Sequence, residues 1–260
     1  MLRSALTIAG SDPSGGAGIQ ADLKTFHQFG VYGQAAITLV TVQNTRAVER
    51  VECLPPDLVA QQIAAVVNDI RPAAAKTGAL GGRAIVDVVA EAAGSFDFPL
   101  VVDPVMISKH GAALVPEEAR EAIRLRLVPR AFLLTPNLSE AEALAGMEVR
   151  SVDAMRRAAR RLNEMGARAV LVKGGHLESS ATDVLFDGRS FREFRAERVE
   201  TNHTHGTGCT YSAAITAGLA RGKALEEAVG AAKQFIDAAI RTNPGLGGGS
   251  GPVNHWARLG

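Results

Sequence analysis

Two glycines bracket a threonine directly before an apolar, helix-like run, in the segment Gly206-Thr207-Gly208-Cys209. No acidic residue occupies the start of the helix that should follow. The first N–H groups of a helix have no partners within it, and the helix dipole adds partial positive charge there. The spacing therefore predicts an anion site built from the backbone N–H groups of these four residues. The alternative is an ordinary helix N-terminus whose glycines allow tight packing.

Four further polar residues follow short apolar runs that are typical of buried strands. Asp103 ends the run LVVD, Asn137 follows FLLTP with Glu140 three residues later, and Lys173 ends VLVK. Ligands in open α/β sheets bind beyond the carboxyl ends of the strands. Asp103, Asn137 and Glu140 are therefore placed to converge, partly through water, on a hydrated Mg²⁺ and phosphates, with Lys173 on a phosphate. A helix capping box explains Asn137 and Glu140 equally well, and a surface lysine is the alternative for Lys173.

The cysteines, histidines and glycine-rich loops indicate one reactive thiol and argue against several kinds of metal and cofactor site. A thiol at a helix N-terminus has a lowered pKa, which predicts a reactive Cys209, whereas Cys53 is predicted as a small buried hydrophobe. The histidines show no spacing typical of a zinc or di-iron site. The loop 10–18 lacks the Lys-Ser/Thr of a P-loop, and neither it nor GTGCTY fits G-x-G-x-x-G, which argues against a nicotinamide site.

Composition excludes several classes of protein. The chain has 260 residues, 47% of them hydrophobic, with 28 Lys and Arg against 27 Asp and Glu. A formal charge of +1 argues against nucleic acid and anionic membranes as partners, and the apolar content argues against disorder. The start does not resemble a secretory signal, and no apolar run approaches the roughly 18 residues that span a bilayer. We therefore expect a soluble, cytoplasmic protein.

Hydrophobic periodicity predicts strands that alternate with helices along the whole chain. Strands are predicted at 5–10, 34–44, 73–78, 100–105, 131–137 and 167–175, with a hairpin at 182–198 turning at Asp187-Gly188. Helices are predicted at 19–30, 55–68, 81–93, 116–126, 138–145, 152–165, 207–221 and 225–241, before a flexible glycine-rich loop at 243–252. The side chains predicted to face the core include Phe26, Phe29, Leu58, Ile63, Val66, Val67 and Trp256. This alternation is typical of one α/β domain, here 1–260, with a mostly parallel sheet covered by helices on both faces.

Seven segments together resemble a known family. They are GSDPSGGAGIQADLKTF, TLVTVQNT, VVDPVM, LTPNLSEAEAL, VLVKGGH, HGTGCTYSAA and GPVNHW. Their order and spacing are similar to those of the hydroxymethylpyrimidine/phosphomethylpyrimidine kinases of thiamine biosynthesis, from residue 5 to about 256. These kinases belong to the ribokinase-like superfamily, beside the pyridoxal kinases. The resemblance implies a three-layer α/β sandwich with a mostly parallel central sheet.

The resemblance also implies where the substrate binds. Gln43 and Asp22 should hold the aminopyrimidine, and Gly10, Ala17 and Val42 should lie near its ring. The family usually has methionine after K-x-G, whereas this chain has Ala79. Packing on that side of the pyrimidine should therefore differ from the family pattern.

On the phosphate side, the resemblance implies that Mg²⁺ and the triphosphate are bound by Asp103, Asn137 and Glu140. It also implies that Lys173 binds the phosphates of ATP. The segment 206–209 should be the anion hole over the transferred group, with Thr207 also near ATP. Cys209 stands where most of the superfamily has an aspartate as base. The segment 106–115, with Lys109 and Gly111, is expected to be a mobile flap that excludes water.

The implied reaction is the transfer of phosphate from ATP, first to a primary alcohol and then to the resulting monophosphate. Only the alcohol needs a base, because the second pKa of a phosphate, near ~6, leaves the monophosphate largely ionised. The alternatives are pyridoxal or pyridoxine kinase activity, or a non-catalytic pyrimidine-binding sensor on the same fold. We also expect a homodimer, because the superfamily often pairs edge strands.

Overall fold

The computed structural model describes residues 2–106, 116–175 and 181–258, and the predicted flap residues Lys109 and Gly111 lie outside these ranges. The strands are β1 (Ser4–Ser11), β2 (Tyr32–Gln43), β3 (Val48–Cys53), β4 (Ala74–Thr77), β5 (Leu100–Val102), β6 (Leu133–Leu134), β7 (Val170–Val172), β8 (Ala181–Phe186) and β9 (Phe191–Ala196). The helices are α1 (Gly18–Gln28), α2 (Pro56–Asp69), α3 (Arg83–Ala93), α4 (Glu117–Ala122), α5 (Leu138–Ala145), α6 (Val152–Glu164), α7 (Thr207–Ala220) and α8 (Leu225–Arg241). A π-helical turn (Ile123–Leu127) and a 3₁₀ turn (Val128–Arg130) extend α4.

The nine strands form one sheet in the order β3-β2-β1-β4-β5-β6-β7-β8-β9. Strands β2, β1, β4, β5, β6 and β7 are parallel, whereas β3 and the hairpin β8-β9 are antiparallel edges. Helices α2 to α6 pack on one face and α1, α7 and α8 on the other. The predicted α/β sandwich, with helices on both faces of a mostly parallel sheet, is confirmed.

Strand residues alternate between the two cores, as a doubly covered sheet requires. Leu6 and Ile8 of β1 pack on the face of α2 and α3, whereas Ala5 packs on the opposite face. In β5, Val102 and Val101 are divided in the same way. Both faces are therefore apolar, which explains why the central strands appear in the sequence as continuous apolar runs.

The site is positioned by the change of direction at β1. The chain leaves β1 through α1 to reach β2 on one side, and returns through α2 to place β4 on the other side. Helices α1 and α2 lie on opposite faces. The loops that follow β1 and β4 therefore diverge and leave a crevice at their carboxyl ends, where α/β sheets bind ligands.

Four local features differ from the predictions. Strand β3 was not expected, because its sequence VERVEC lies at the sheet edge and lacks the apolar run of a central strand. Cys53, at its end, is exposed rather than buried. Leu58 is 43% exposed while its neighbour Val59 is fully buried, so the inner face of α2 begins one residue later than predicted. Trp256 is 70% exposed and does not belong to the core.

The C-terminal segment is hydrogen-bonded to the carboxyl edge of the sheet. The Ser250 N–H donates to the carbonyl of Thr45 at 2.8 Å, and the His205 N–H donates to the carbonyl of Gly251 at 3.0 Å. The glycine-rich loop predicted to be flexible is therefore joined to the turn after β2 and to the start of α7. No described helix is long and apolar enough to cross a membrane.

His255 is buried in this segment, with its Nε2 3.1 Å from the Thr210 hydroxyl of α7. Burial, with added repulsion from Lys24 and His205, lowers the pKa of His255 to about 4. An unfolded histidine takes up a proton near pH 6.5. The buried neutral ring therefore contributes stability that is complete above about pH 6.5 and is lost as the pH falls towards 4.

Replacing His255 with Gln should flatten the loss of stability that acid causes. Between pH 7 and pH 4 this one group accounts for about 3 kcal/mol of unfolding free energy. Urea unfolding across that range measures the difference, with His27→Gln, at an exposed histidine, as the matched control. An equal acid sensitivity in the wild type and in His255→Gln would contradict the assignment.

Candidate active site

The residues predicted for phosphate chemistry meet at the carboxyl ends of β5, β6 and β7. Asp103 directly follows β5, Asn137 precedes α5 just beyond β6, and Lys173 directly follows β7. Asn137 and Lys173 are joined as a parallel bridge. Parallel strands end at the same edge of a sheet, so the topology brings together side chains that are up to 70 residues apart in sequence.

The predicted anion segment starts α7 in a conformation that only glycine adopts readily. Gly206 precedes the helix with φ +77°, and a Cβ on it would overlap the carbonyl oxygen of Gly16. The N–H of Thr207 donates to the Thr204 carbonyl at 3.3 Å, so this N–H is not free, contrary to the prediction. The Gly208 and Cys209 N–H groups remain as first-turn donors that the helix does not pair internally.

An ion pair faces this helix start. Lys173 Nζ lies 2.9 Å from Asp103 Oδ1, and it is 3.4 Å from the place that a Cβ would take on Gly208. Asp103 also accepts from the Thr135 hydroxyl at 3.3 Å and from the Ser212 hydroxyl at 3.1 Å. Burial disfavours the charged form of both side chains. The opposite charge of the partner outweighs this effect, so the pKa of Asp103 is lowered and the pKa of Lys173 is raised. Both side chains are therefore ionised.

Asn137 and Glu140 form the capping box that their spacing allows. The Glu140 N–H donates to Asn137 Oδ1 at 2.9 Å, and the Asn137 N–H donates to Glu140 Oε2 at 2.8 Å. Burial raises the pKa of Glu140 to about 7; Lys173 opposes this and Asp103 adds to it. The Met106 N–H also hydrogen-bonds the Glu140 carboxylate, so two backbone contacts hold this side chain in place.

The donor set fits a magnesium ion that arrives with a nucleotide. Among the described residues, no group of three His, Cys, Asp or Glu side chains could hold a metal by itself. Mg²⁺ usually binds proteins through one or two carboxylates and completes its shell with water and substrate phosphates. Asp103 and Glu140 are two such carboxylates, and the repulsion between them raises the pKa of Glu140, which a cation would relieve.

A second buried ion pair, not predicted from the sequence, joins α1 to β4. Lys76 and Asp22 are both fully buried, with Nζ 2.8 Å from Oδ2. The Thr7 hydroxyl donates to the same oxygen at 2.6 Å, while Oδ1 of Asp22 has no hydrogen-bond partner among the described residues. The available signal was the single lysine within the apolar run AAAKTG, in a chain with few lysines.

Cys209 does not have the lowered pKa that its helix position predicts. Burial raises the pKa of the thiol to about 12, and the positive charge of Lys76 only partly offsets this. The N–H of Gly18 hydrogen-bonds the sulfur, which places Cys209 against the loop after β1. Removal from water outweighs the helix dipole here, because the dipole is a smaller effect than full desolvation of a thiolate.

On the substrate side, Gln43 contacts a residue that sequence reasoning missed. Gln43 Nε2 lies 3.3 Å from His205 Nε2, which in turn lies 2.8 Å from Asp12 Oδ2. Burial opposes the charge of Asp12, but its hydrogen bonds, chiefly from His205 and Ser14, lower its pKa to about 2. The signal available was the adjacency of His205 to Gly206.

The three remaining residues of the predicted pyrimidine site lie on β1, on the loop after β1 and on β2. Gly10 is buried in β1, where a Cβ would overlap the side chain of Leu39. The Ala17 N–H donates to Asp12 Oδ2 at 2.9 Å. Val42 is 51% exposed at the end of β2. Ala79, the departure from the family pattern, is half-buried beyond β4.

Comparison with known proteins places the chain among one group of kinases. The family model described as phosphomethylpyrimidine kinase matches residues 12–254. A hydroxymethylpyrimidine/phosphomethylpyrimidine kinase of Bacillus subtilis is 46% identical over 98% of this chain and 96% of its own length. The protein of the same name from Streptomyces coelicolor is 48% identical over 97% of this chain and 94% of its own length.

Solved structures share the whole architecture. Bacillus subtilis pyridoxal kinase, in an ADP complex, is 41% identical with a TM-score of 0.91, covering 99% of this chain and 98% of that one. The phosphomethylpyrimidine kinase of Clostridium difficile is 43% identical with a TM-score of 0.83, covering 92% of this chain and 99% of that one. Because the family model spans nearly the whole sequence, the chain belongs to the phosphomethylpyrimidine kinase family.

Proposed function

We propose that this protein transfers phosphate from ATP to 4-amino-5-hydroxymethyl-2-methylpyrimidine and then to the resulting monophosphate, as a kinase of thiamine biosynthesis. The observation that carries the proposal is the start of α7, which faces the Asp103–Lys173 pair on one side and the loop after β1 on the other. A phosphoryl group held there lies between phosphate-binding and substrate-binding residues. The names of the relatives support the same reaction.

The phosphate half of the site acts through charge and position. We propose that the Gly208 and Cys209 N–H groups hold the transferred phosphoryl group, with Lys173 on the phosphates and Asn137 and Thr207 beside ATP. Phosphoryl transfer depends on positioning and charge stabilisation more than on covalent chemistry. A Mg²⁺ held by Asp103, Glu140 and Asn137 would neutralise phosphate charge when bound.

The substrate half acts through hydrogen bonds. We propose that Gln43 and Asp22 hold the aminopyrimidine, with Gly10, Ala17 and Val42 around the ring. An aminopyrimidine presents an amine donor beside a ring-nitrogen acceptor, and an amide offers both complementary groups in one plane. Oδ1 of buried Asp22, which has no hydrogen-bond partner in the part of the chain that the structure describes, is a further acceptor for a donor of the substrate.

In this proposal Cys209 occupies the position of the base, but it contributes only weakly to proton transfer. A thiol whose pKa is about 12 is almost fully protonated at neutral pH. The alcohol step therefore cannot draw on a large thiolate population, and Cys209 accepts the proton of the alcohol only in the small fraction of molecules in which it is already a thiolate. The monophosphate step needs no base, because its phosphate is already ionised.

Pyridoxal kinase activity is the second candidate. It is favoured by the similarity to the Bacillus subtilis pyridoxal kinase over nearly the whole of both chains. A non-catalytic sensor is disfavoured, because the chain keeps the α7 start, the Lys173 cation and both carboxylates. We further propose a cytoplasmic homodimer: β3 forms one edge of the sheet, and edge strands present unpaired backbone groups.

A substrate panel separates these functions. The protein is incubated with ATP and Mg²⁺ and with hydroxymethylpyrimidine, its monophosphate or pyridoxal, and products are identified by mass. Formation of the pyrimidine monophosphate and diphosphate supports the proposal. Phosphorylation of pyridoxal alone would establish the second candidate, and no product from any of the three would favour the sensor.

Replacing Cys209 with Ala should slow the alcohol step by about 10- to 100-fold, at the low end of general-base effects because little thiolate is present. The monophosphate step should change much less, since its nucleophile is already ionised. The kcat of each step measures this, with Cys53→Ala, at the exposed cysteine, as the matched control. Equal losses in both steps would remove Cys209 from the base role.

Replacing Glu140 with Gln should raise the Mg²⁺ concentration for half-maximal rate by about 10- to 100-fold, because the substitution removes a ligand charge. Glutamine can still accept from the Asn137 N–H, so the helix cap should survive. Rates across a Mg²⁺ titration measure the effect, with Glu148→Gln, at an exposed glutamate, as control. A lowered melting temperature with unchanged Mg²⁺ dependence would leave Glu140 with the cap alone.

Replacing Gln43 with Leu should lower kcat/KM for hydroxymethylpyrimidine by about 5- to 150-fold, because polar atoms of the bound ring lose their partners. Pyridoxal has no amine beside its ring nitrogen and should be affected less. The exposed Gln61→Leu serves as control. Wild-type turnover of hydroxymethylpyrimidine by Gln43→Leu would exclude Gln43 from the site, and a selective loss on pyridoxal would favour the second candidate.

A further inference from the structure

His205 stands between the loop after β1 and the end of β2, in contact with both. Its Nε2 lies 2.8 Å from Asp12 Oδ2 and 3.3 Å from the amide nitrogen of Gln43. The ring is buried, and its backbone is held on both sides: the His205 N–H donates to Gly251, and the Val253 N–H donates to the His205 carbonyl. The position of the ring is therefore set by the backbone as well as by its own contacts.

The contact with Asp12 determines whether His205 Nε2 carries a proton. The Asp12 carboxylate also accepts from the N–H groups of Ser14 and Ala17 and from the Ser14 hydroxyl, so it acts only as an acceptor. A short contact between Nε2 and this carboxylate requires a proton on Nε2. The requirement holds for the neutral ring and for the charged ring alike.

A protonated Nε2 cannot accept a hydrogen bond from the Gln43 NH₂ group. Amide oxygen and nitrogen have the same shape, and their assignment follows from the hydrogen-bond network around them. Nε2 has one proton, directed chiefly at Asp12, so the Gln43 carbonyl oxygen belongs at the 3.3 Å contact as the longer arm of a three-centre hydrogen bond. The NH₂ group of Gln43 is then turned away from His205.

We propose that His205, held by Asp12, is a positioning residue that fixes the orientation of the Gln43 amide, so that this amide offers its NH₂ group to the substrate and selects rings with a nitrogen acceptor. The inference rests on the proposed function, in which Gln43 binds the aminopyrimidine. The carbonyl oxygen keeps one lone pair for the exocyclic amine, but it already accepts from His205. The ring nitrogen beside the amine therefore carries more of the recognition than the amine does.

Two substrate analogues test this asymmetry. One replaces the ring nitrogen next to the amino group with CH, and the other replaces the amino group with hydrogen. In the wild type, the CH analogue should lose about 5- to 150-fold in kcat/KM, and the deamino analogue clearly less. His205→Leu frees the amide to rotate and should bring the two losses close together, chiefly through KM. His205→Gln places an amide donor near the Nε2 position and should restore the wild-type preference.

Controls distinguish a positioning role from a structural one. His27→Leu, at an exposed histidine, should behave as wild type, and melting temperatures report whether each variant folds. A purely structural role would lower all rates of His205→Leu by one factor and leave the ratio between analogues unchanged, which would overturn the proposal. A greater loss with the deamino analogue in the wild type would overturn it as well.

The protonation of His205 gives a readout that needs no activity. In ¹⁵N spectra of histidine-labelled protein, the signals that disappear in His205→Gln belong to His205. A proton on Nε2 is expected, and an unprotonated Nε2 would overturn the proposal even if His205→Leu does not fold. If the wild type phosphorylates pyridoxal but no pyrimidine, the proposed function fails, while the Nε2 result still reports on the Asp12–His205 contact separately.

Discussion

The ion pair between Asp103 and Lys173 holds the carboxyl end of the sheet together at the candidate site. It joins the ends of β5 and β7, and Asp103 also accepts from Thr135, which follows β6, and from Ser212 of α7. Removing one partner of a buried pair leaves the other charge unpaired, at a cost of about 3–5 kcal/mol. The distance between the strand ends and the start of α7 is therefore set by a contact that is costly to break.

The charges of the second ion pair, Lys76 with Asp22, interact with the charges of the first. Each carboxylate is buried and opposes the ionisation of the other, so Asp103 contributes to raising the pKa of Asp22. The two lysines offset this repulsion, because Lys76 and Lys173 both stabilise the Asp103 charge. Two carboxylates and two ammonium groups make the two ion pairs close to neutral. These pairs therefore add no net negative charge in the path of incoming phosphates.

Close backbone contact joins the substrate half of the crevice to the phosphate half. Gly206 approaches Gly16, and Gly18 approaches Gly10, at distances where a Cβ on Gly206 or Gly18 would overlap a carbonyl oxygen. The same loop supplies Asp12 to His205 and the Gly18 N–H to Cys209. The glycines of GSDPSGGAG do not form a P-loop. They allow the loop after β1 to lie directly against the start of α7.

Continuous apolar runs and helical periodicity in the sequence predicted the strands, their ends and the helices on both faces of the sheet, whereas the resemblance to the family rested on the seven motif segments. The sequence also predicted Lys173, the capping box at Asn137 and the glycine-flanked start of α7, since each of these is a pattern of a few neighbouring residues. Only the tertiary structure decided the rest. The pairing of Lys76 with Asp22, the contact of His205 with Asp12 and Gln43, and the raised pKa of Cys209 all depend on burial and on neighbours far apart in the chain. Charge and desolvation act through space, so residue spacing along the chain could not reveal them.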